Sequence, residues 1–130
     1  KVQAWVTADG YHDLGPGNRE PQSHQEIAYK LSECMTCGCC LEACPQYSLN
    51  NNFLGAAAIS QSRLFNMHPT AKNIADERLD TLMQEGGIAD CGNAQNCVEA
   101  CPKSIPLTES IAEIGRQVSG KLWSNIFQAK

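Results

Sequence analysis

Eight of the 130 residues are cysteines, and they fall into two groups: Cys34, Cys37, Cys39, Cys40 and Cys44, then Cys91, Cys97 and Cys101. Thiols at this density pair as disulfides, hold zinc, or hold iron–sulfur cores, and spacing discriminates among these uses. Cys34 and Cys91, Cys40 and Cys97, Cys44 and Cys101, and Pro45 and Pro102 each stand 57 residues apart. One cysteine motif therefore occurs twice. The first copy reads C-x2-C-x2-C-x3-C-P, a run in which three closely spaced thiolates hold one iron–sulfur core and the fourth reaches across to another. In the second copy the position matching Cys37 is Ala94.

That single absence carries a chemical expectation. A cubane core has an iron at each of its four metal corners, and each iron takes one thiolate. Cys34, Cys37 and Cys40 with Cys101 crossing over complete a 4Fe-4S cluster. Cys91 and Cys97 with Cys44 crossing over leave the corner facing Ala94 without a donor, so three thiolates and three irons remain, a 3Fe-4S cluster. Cys39 is left over, because the register pairs Cys40 with Cys97 and Cys39 with Asn96; a small buried hydrophobe beside the cluster is the expected role for it. Pro45 and Pro102 hold the preceding cysteine extended, which turns the thiols of Cys44 and Cys101 away from their own triplets.

The rival uses of cysteine fit less well. Adjacent Cys39 and Cys40 are poor disulfide partners for each other, and the start of the chain has no apolar core of the secretory kind. C-x2-C pairs also occur in zinc knuckles, and eight thiolates could fill two tetrahedral sites. Ala94, however, leaves an odd ligand number in the second half.

Helical pattern surrounds the cysteines. Ser23 followed by Glu26 has the form of a capping box, with Ile27, Ala28 and Leu31 then on one face leading into Cys34. Residues 55–67 are Ala-rich, offer Ile59, Leu64 and Phe65 for packing, and end before Pro69. Residues 76–85 carry Leu79, Leu82 and Met83 and stop at Gly86-Gly87. From Thr108 onward, Ile111, Ile114, Val118, Leu122 and Ile126 form one continuous stripe. Only residues 2–6 show a weak strand-like alternation. The expectation is an all-α domain over residues 23–130 wrapped around two iron–sulfur clusters, with residues 1–22, rich in Gly and Pro, as a linker or arm.

Apolar residues make up 42% of the chain, mean hydropathy is −0.33, and the longest apolar run, Ala56 to Ile59, is far short of the roughly 20 residues a spanning helix needs. Any membrane role is therefore expected to be peripheral. Ten Lys and Arg against fourteen Asp and Glu give a net charge of −4 and no basic stripe, so nucleic acid is not an expected partner. The chain opens at Lys1 without an initiator Met, which suggests a segment of something longer.

Residues 34–45 (CMTCGCCLEACP), 53–69 (FLGAAAISQSRLFNMHP), Arg78-Leu79 and 91–106 (CGNAQNCVEACPKSIP) together resemble the iron–sulfur subunit of succinate dehydrogenase and fumarate reductase. The resemblance covers nearly the whole chain. It implies the α-helical ferredoxin domain that forms the C-terminal half of that subunit, with the 2Fe-2S half absent. It also implies the ligand set that the repeat gives independently: Cys34, Cys37, Cys40 and Cys101 on 4Fe-4S, Cys44, Cys91 and Cys97 on 3Fe-4S. Further implied are electron transfer from a flavoprotein subunit to a quinone held near a membrane-anchor subunit, a place on the cytoplasmic face of the cell membrane, and no acid–base chemistry on this chain. Other paired Cys-rich electron carriers, such as the heterodisulfide reductase or glycolate oxidase subunits, usually keep four cysteines in each motif, and Ala94 argues against them.

One departure from the family pattern is informative. Ubiquinone-type members often carry tryptophans shortly after the first Cys-Pro and a histidine just after the first cysteine of the second motif, where this chain has Gln46-Tyr47-Ser48-Leu49 and Gly92. The match is closer to menaquinone-using enzymes. His12, His24 and His68 lie outside the motifs and are expected to be surface or structural. Arg63 and Lys103 are either surface charges or charges that tune a nearby cluster, and Trp123 and Phe127 are expected in packing or subunit contact.

Overall fold

In the computed structural model, which describes residues 19–69 and 71–128, Pro21 sets the start of the first helix. Its φ of −60° and ψ of 148° bring the chain in extended, and its carbonyl accepts the first hydrogen bond from the Gln25 N–H at 3.1 Å. Helix α1 therefore runs Gln22–Ser32. The expected capping box is not formed. Ser23 already lies in the first turn, no side chain caps the helix, and Glu26 accepts from Gln22 Nε2 at 3.1 Å. Residues 1–18, with His12, the alternation at 2–6 and most of the expected arm, lie outside the described residues.

The remaining helices are α2 (Cys39–Glu42), α3 (Ala56–Met67), α4 (Ala75–Leu82), α5 (Asn96–Glu99) and α6 (Leu107–Gln128), with 3-10 turns at Ala71–Ile74 and Ile88–Asp90. No strand occurs among the described residues, as the all-α expectation required. No helix among them is long and apolar enough to cross a membrane.

Helix α3 is the hub, packing against α1, α2, α4 and α6. It starts at Gly55, whose φ is +84° and where a Cβ would stand 2.0 Å from Leu41 Cδ2; only glycine meets both demands. It stops where His68 turns extended before Pro69, as the residue preceding a proline must. Small buried side chains let α3 and α6 approach, with the Ser60 hydroxyl donating to Ser110 Oγ at 3.4 Å. Arg78 on α4 is 1% exposed and donates to Asn66 Oδ1 at 2.7 Å and to the Ala71 carbonyl, which fixes the turn between α3 and α4.

Two expectations about helix ends need correction. Helix α4 ends at Leu82 rather than running to residue 85. The segment after it is pulled toward the loop before α3 by the Leu54 N–H, which donates to the Gly86 carbonyl at 2.9 Å. The α6 stripe is buried only in its first half. Ile114 and Val118 are 0% and 7% exposed, whereas Leu122 and Ile126 are 48% and 62% exposed, beside exposed Trp123 and Phe127. With 22 residues, α6 outruns the 12 residues of α3 and the 8 of α4 on which it lies.

The apolar interior divides into two. One cluster gathers Leu31, Cys40, Ala56, Cys97, Ile105 and Leu107. The other gathers Phe53, Ile59, Leu79, Leu82, Ile114 and Val118, with Cys44 and Cys91 at its edge.

Candidate functional site

The 57-residue repeat is a repeat of backbone as well as of sequence. Helices α2 and α5, each four residues long, begin at matching positions, Cys39 and Asn96. Each is entered through two left-handed residues at matching positions: Thr36 and Asn93 with φ of 53° and 52°, then Gly38 and Gln95 with φ of 82° and 64°. The closing hydrogen bonds also correspond. Leu41 N–H donates to the Gly38 carbonyl at 2.9 Å and Val98 N–H to Gln95 at 3.0 Å. Tyr47 N–H donates to Cys44 at 3.2 Å and Ser104 N–H to Cys101 at 3.0 Å. Left-handed turns of this kind point successive side chains and N–H groups into one concavity.

Two hollows result. The first is lined by Cys34, Cys37 and Cys40 together with Cys101 from the second copy. The second is lined by Cys91 and Cys97 together with Cys44 from the first copy, and Ala94 also lines it. The structure thus brings Cys34, Cys37, Cys40 and Cys101 around one hollow and Cys44, Cys91 and Cys97 around the other, with one thiol crossing in each direction. All eight cysteines are free thiols.

Burial pushes the Cys40 thiol up, offset in part by a hydrogen bond from the Ala57 N–H, and the nearby thiols Cys34, of its own hollow, and Cys97, of the other, raise it further. Burial likewise pushes Cys97 up, offset by the Val98 N–H, and its raising neighbours are Cys44 and Cys91, the other two thiols of its hollow. Thiols that repel one another when ionised call for a cationic core to compensate them. Four thiols around one hollow and three around the other suit multi-iron cores that take one thiolate at each corner, so the donor set fits iron–sulfur clusters.

Cys39 departs from expectation. It is exposed rather than buried and lines neither hollow. As the first residue of α2, directly after left-handed Gly38, it sits on the outer side of the turn, whereas its exposed counterpart Asn96 lines the second hollow. Its side chain meets Cys37: a backbone and a side-chain hydrogen bond from Cys39 lower the Cys37 thiol, and the same contact raises Cys39.

Of the other residues weighed, Lys103 lies on the rim of the first hollow. Arg63 lines neither hollow and donates to Ser110 Oγ at 3.3 Å between α3 and α6. His24 is exposed beside Glu20, with Nδ1 and Oε2 3.2 Å apart, and His68 Nδ1 accepts from the Ala71 N–H at 3.4 Å. Neither histidine lines either of the two cysteine-lined hollows. Sequence reasoning missed the contribution of Ala57, whose N–H reaches Cys40; no side chain announces a backbone donor. It also missed the contact of Gln46 with Gly92, where a Cβ would come 2.7 Å from Gln46 Nε2.

Comparison with known proteins adds three observations. Residues 30–105 match the family model of the 4Fe-4S dicluster domain. The chain is 55% identical over 127 residues to a succinate dehydrogenase iron-sulfur subunit of Bacillus subtilis, covering 98% of this chain and 50% of the relative. It is 28% identical over 120 residues to a fumarate reductase iron-sulfur subunit of Wolinella succinogenes, covering 91% of this chain and 50% of the relative. The chain spans about half the length of these curated relatives.

Proposed function

The chain belongs to the 4Fe-4S dicluster domain family and is similar over nearly its whole length to iron–sulfur subunits of succinate dehydrogenase and fumarate reductase, and from that premise we propose that it conducts electrons from a flavoprotein subunit toward a membrane quinone. Cys34, Cys37, Cys40 and Cys101 hold a 4Fe-4S cluster, and Cys44, Cys91 and Cys97 hold a 3Fe-4S cluster. The bound clusters supply one-electron carriage. The chain's residues supply thiolates, exclude water and place the two centres side by side.

The observation that carries this reading is the reciprocal crossing, Cys101 into the first hollow and Cys44 into the second. Each copy of the motif depends on the other to complete its site, so the two centres are held at one fixed separation. Ala94 on the wall of the second hollow supports the three-iron assignment there. The partners proposed are the flavoprotein and membrane-anchor subunits, at the cytoplasmic face of the cell membrane. Menaquinone is the quinone favoured, because Gln46-Tyr47-Ser48-Leu49 and Gly92 stand where ubiquinone-type members often carry tryptophans and a histidine.

The test is anaerobic loading with iron and sulfide. The wild-type chain takes up about seven irons, and Cys101→Ser loses the first cluster while Cys44→Ser loses the second. An uptake of about eight irons, or of zinc at about two per chain, overturns the assignment.

A further inference from the structure

Cys37 and Cys39 are the two exposed cysteines of the eight. Only Gly38 separates them, in a left-handed conformation with φ of 82° that leaves open space on its outer side. The turn at Gly38 leaves both side chains exposed one residue apart, yet only Cys37 lines the first hollow. Cys40, the other sequence neighbour, is buried and directed inward. The second copy has Ala94 and Asn96 at the matching positions, so a paired thiol exists only at the corner of the first hollow that faces solvent.

We propose that Cys37 and Cys39 form a reversible thiol–disulfide pair that caps this exposed corner whenever its iron is lost. The role rests on Cys37 being a cluster ligand, as assigned above. In the loaded chain Cys37 is bound to iron and Cys39 remains a free thiol. Once the iron has gone, a low-molecular-weight disulfide supplies the oxidant. One of the two thiols displaces a small thiol from it to give a mixed disulfide, and the other then displaces the second. Two S–H bonds are replaced by one S–S bond, and the two electrons and two protons leave on the two small thiols. A dithiol reductant reverses the step and returns Cys37 for reloading. Without Cys39, an exposed Cys37 thiol proceeds under peroxide to the sulfinic and sulfonic levels, from which it is not recovered.

The test uses the full chain, loaded anaerobically, stripped of iron by a chelator, exposed to oxidised glutathione, alkylated and cleaved after glutamate. Cleavage at Glu33 and Glu42 releases residues 34–42, which hold four of the cysteines. The expected product is this peptide lighter by two hydrogens, with Cys34 and Cys40 alkylated and the bond placed between Cys37 and Cys39; dithiol treatment then restores iron uptake. Cys39→Ser should load normally at first, show no internal bond, and lose reloading after peroxide while wild type regains it. A fully alkylated Cys39, or a bond from Cys37 to Cys34 or Cys40, overturns the proposal. If the Cys37–Cys39 bond forms but Cys37→Ser keeps the full iron content, the ligand assignment fails and the capping role falls with it.

Discussion

The two halves of the repeat share a backbone and differ in side chains at three consecutive positions of interest. Residues 36 and 93, and 38 and 95, adopt the same left-handed conformations, while Cys37 faces Ala94, Gly38 faces Gln95, and Cys39 faces Asn96 across the register. The first hollow is walled by apolar Ala57, Ile105 and Leu107, and the second has a polar lip of Gln46, Asn93 and Asn96. The comparison separates two determinants that one site alone would confound. The left-handed turns shape the hollow, and under the proposed ligand assignment the single side chain at position 37 or 94 sets how many irons it holds.

The largest test of that separation is Ala94→Cys. If the second hollow has the geometry of the first and lacks only a donor, the variant gains about one iron per chain and its second centre becomes a 4Fe-4S cluster. The oxidised three-iron core has an odd electron count and is paramagnetic, whereas the oxidised four-iron core is not, so the resting electron paramagnetic resonance signal should vanish. The reduction potential should fall, because an added anionic thiolate opposes an added electron. A signal that persists at full strength means that residue 94 does not face the open corner, and the equivalence of the two halves fails.

The two apolar clusters allow a second comparison. Leu31 in one and Leu82 in the other are both 0% exposed. Leu31→Ala and Leu82→Ala should each cost about 2–5 kcal/mol through lost burial and a residual cavity. Three proposed 4Fe-4S ligands, Cys34, Cys40 and Cys101, lie in or on the first cluster beside one proposed 3Fe-4S ligand, Cys97, while Cys44 and Cys91 pack on the second. In denaturant the Leu31 variant should therefore release its 4Fe-4S iron first and the Leu82 variant its 3Fe-4S iron first, as followed by visible absorbance and paramagnetic resonance. Identical release order in both would show that the two clusters respond as one core.

These expectations divide along the line between covalent spacing and tertiary context. The repeat, the crossing thiols and the odd position at Ala94 were legible because a ligand motif is a constraint on sequence distance, which the chain records directly. The presence of α3, α4 and α6 was legible from apolar period. Their ends were less so. The Ser23–Glu26 pattern lost to Pro21, whose fixed φ and free carbonyl start the helix earlier. Residues 83–85 left α4 because a backbone bond from Leu54 to Gly86 draws that segment elsewhere, a contact between stretches 32 residues apart in sequence that no local pattern contains. The stripe on α6 marks a face suited to burial but not the length of its neighbours, so Leu122 and Ile126 read the same as Ile114 and are exposed. Cys39 reads as buried by residue type, and the left-handed turn at Gly38 places it outside.

A smaller effect concerns pH in the unloaded chain. Cys40 and Cys97 occupy matching positions, and burial raises both thiols above their ordinary value. The folded chain therefore favours the neutral thiols. The stability they contribute is fully present below the ordinary thiol value of about 8.5 and is lost as pH rises through the raised folded values. Denaturant midpoints of the unloaded chain should fall on the alkaline side, and Cys40→Ala and Cys97→Ala should each flatten that limb to a similar degree. Unequal flattening would show that the two buried thiols do not share an environment despite their register.

The smallest effect tests whether the turn shape belongs to the backbone alone. Gly38 at φ 82° has nothing within 4 Å of a built Cβ, so Gly38→Ala meets only the conformational penalty of the left-handed region, about 1–2 kcal/mol. Gln95 already bears that penalty at φ 64°. Gln95→Gly removes it, while the added freedom of glycine in the unfolded chain takes back about 0.4–1 kcal/mol. The net expectation is a gain of about 0.5 kcal/mol, too small to change iron content and visible as a slightly higher denaturant midpoint in the unloaded chain. Opposite signs at two positions with one shared conformation are what a backbone-determined turn requires. If Gln95→Gly instead destabilises the chain or loosens the second cluster, the Gln95 side chain contributes to that hollow directly, and the second half is more than a first half with one thiol removed.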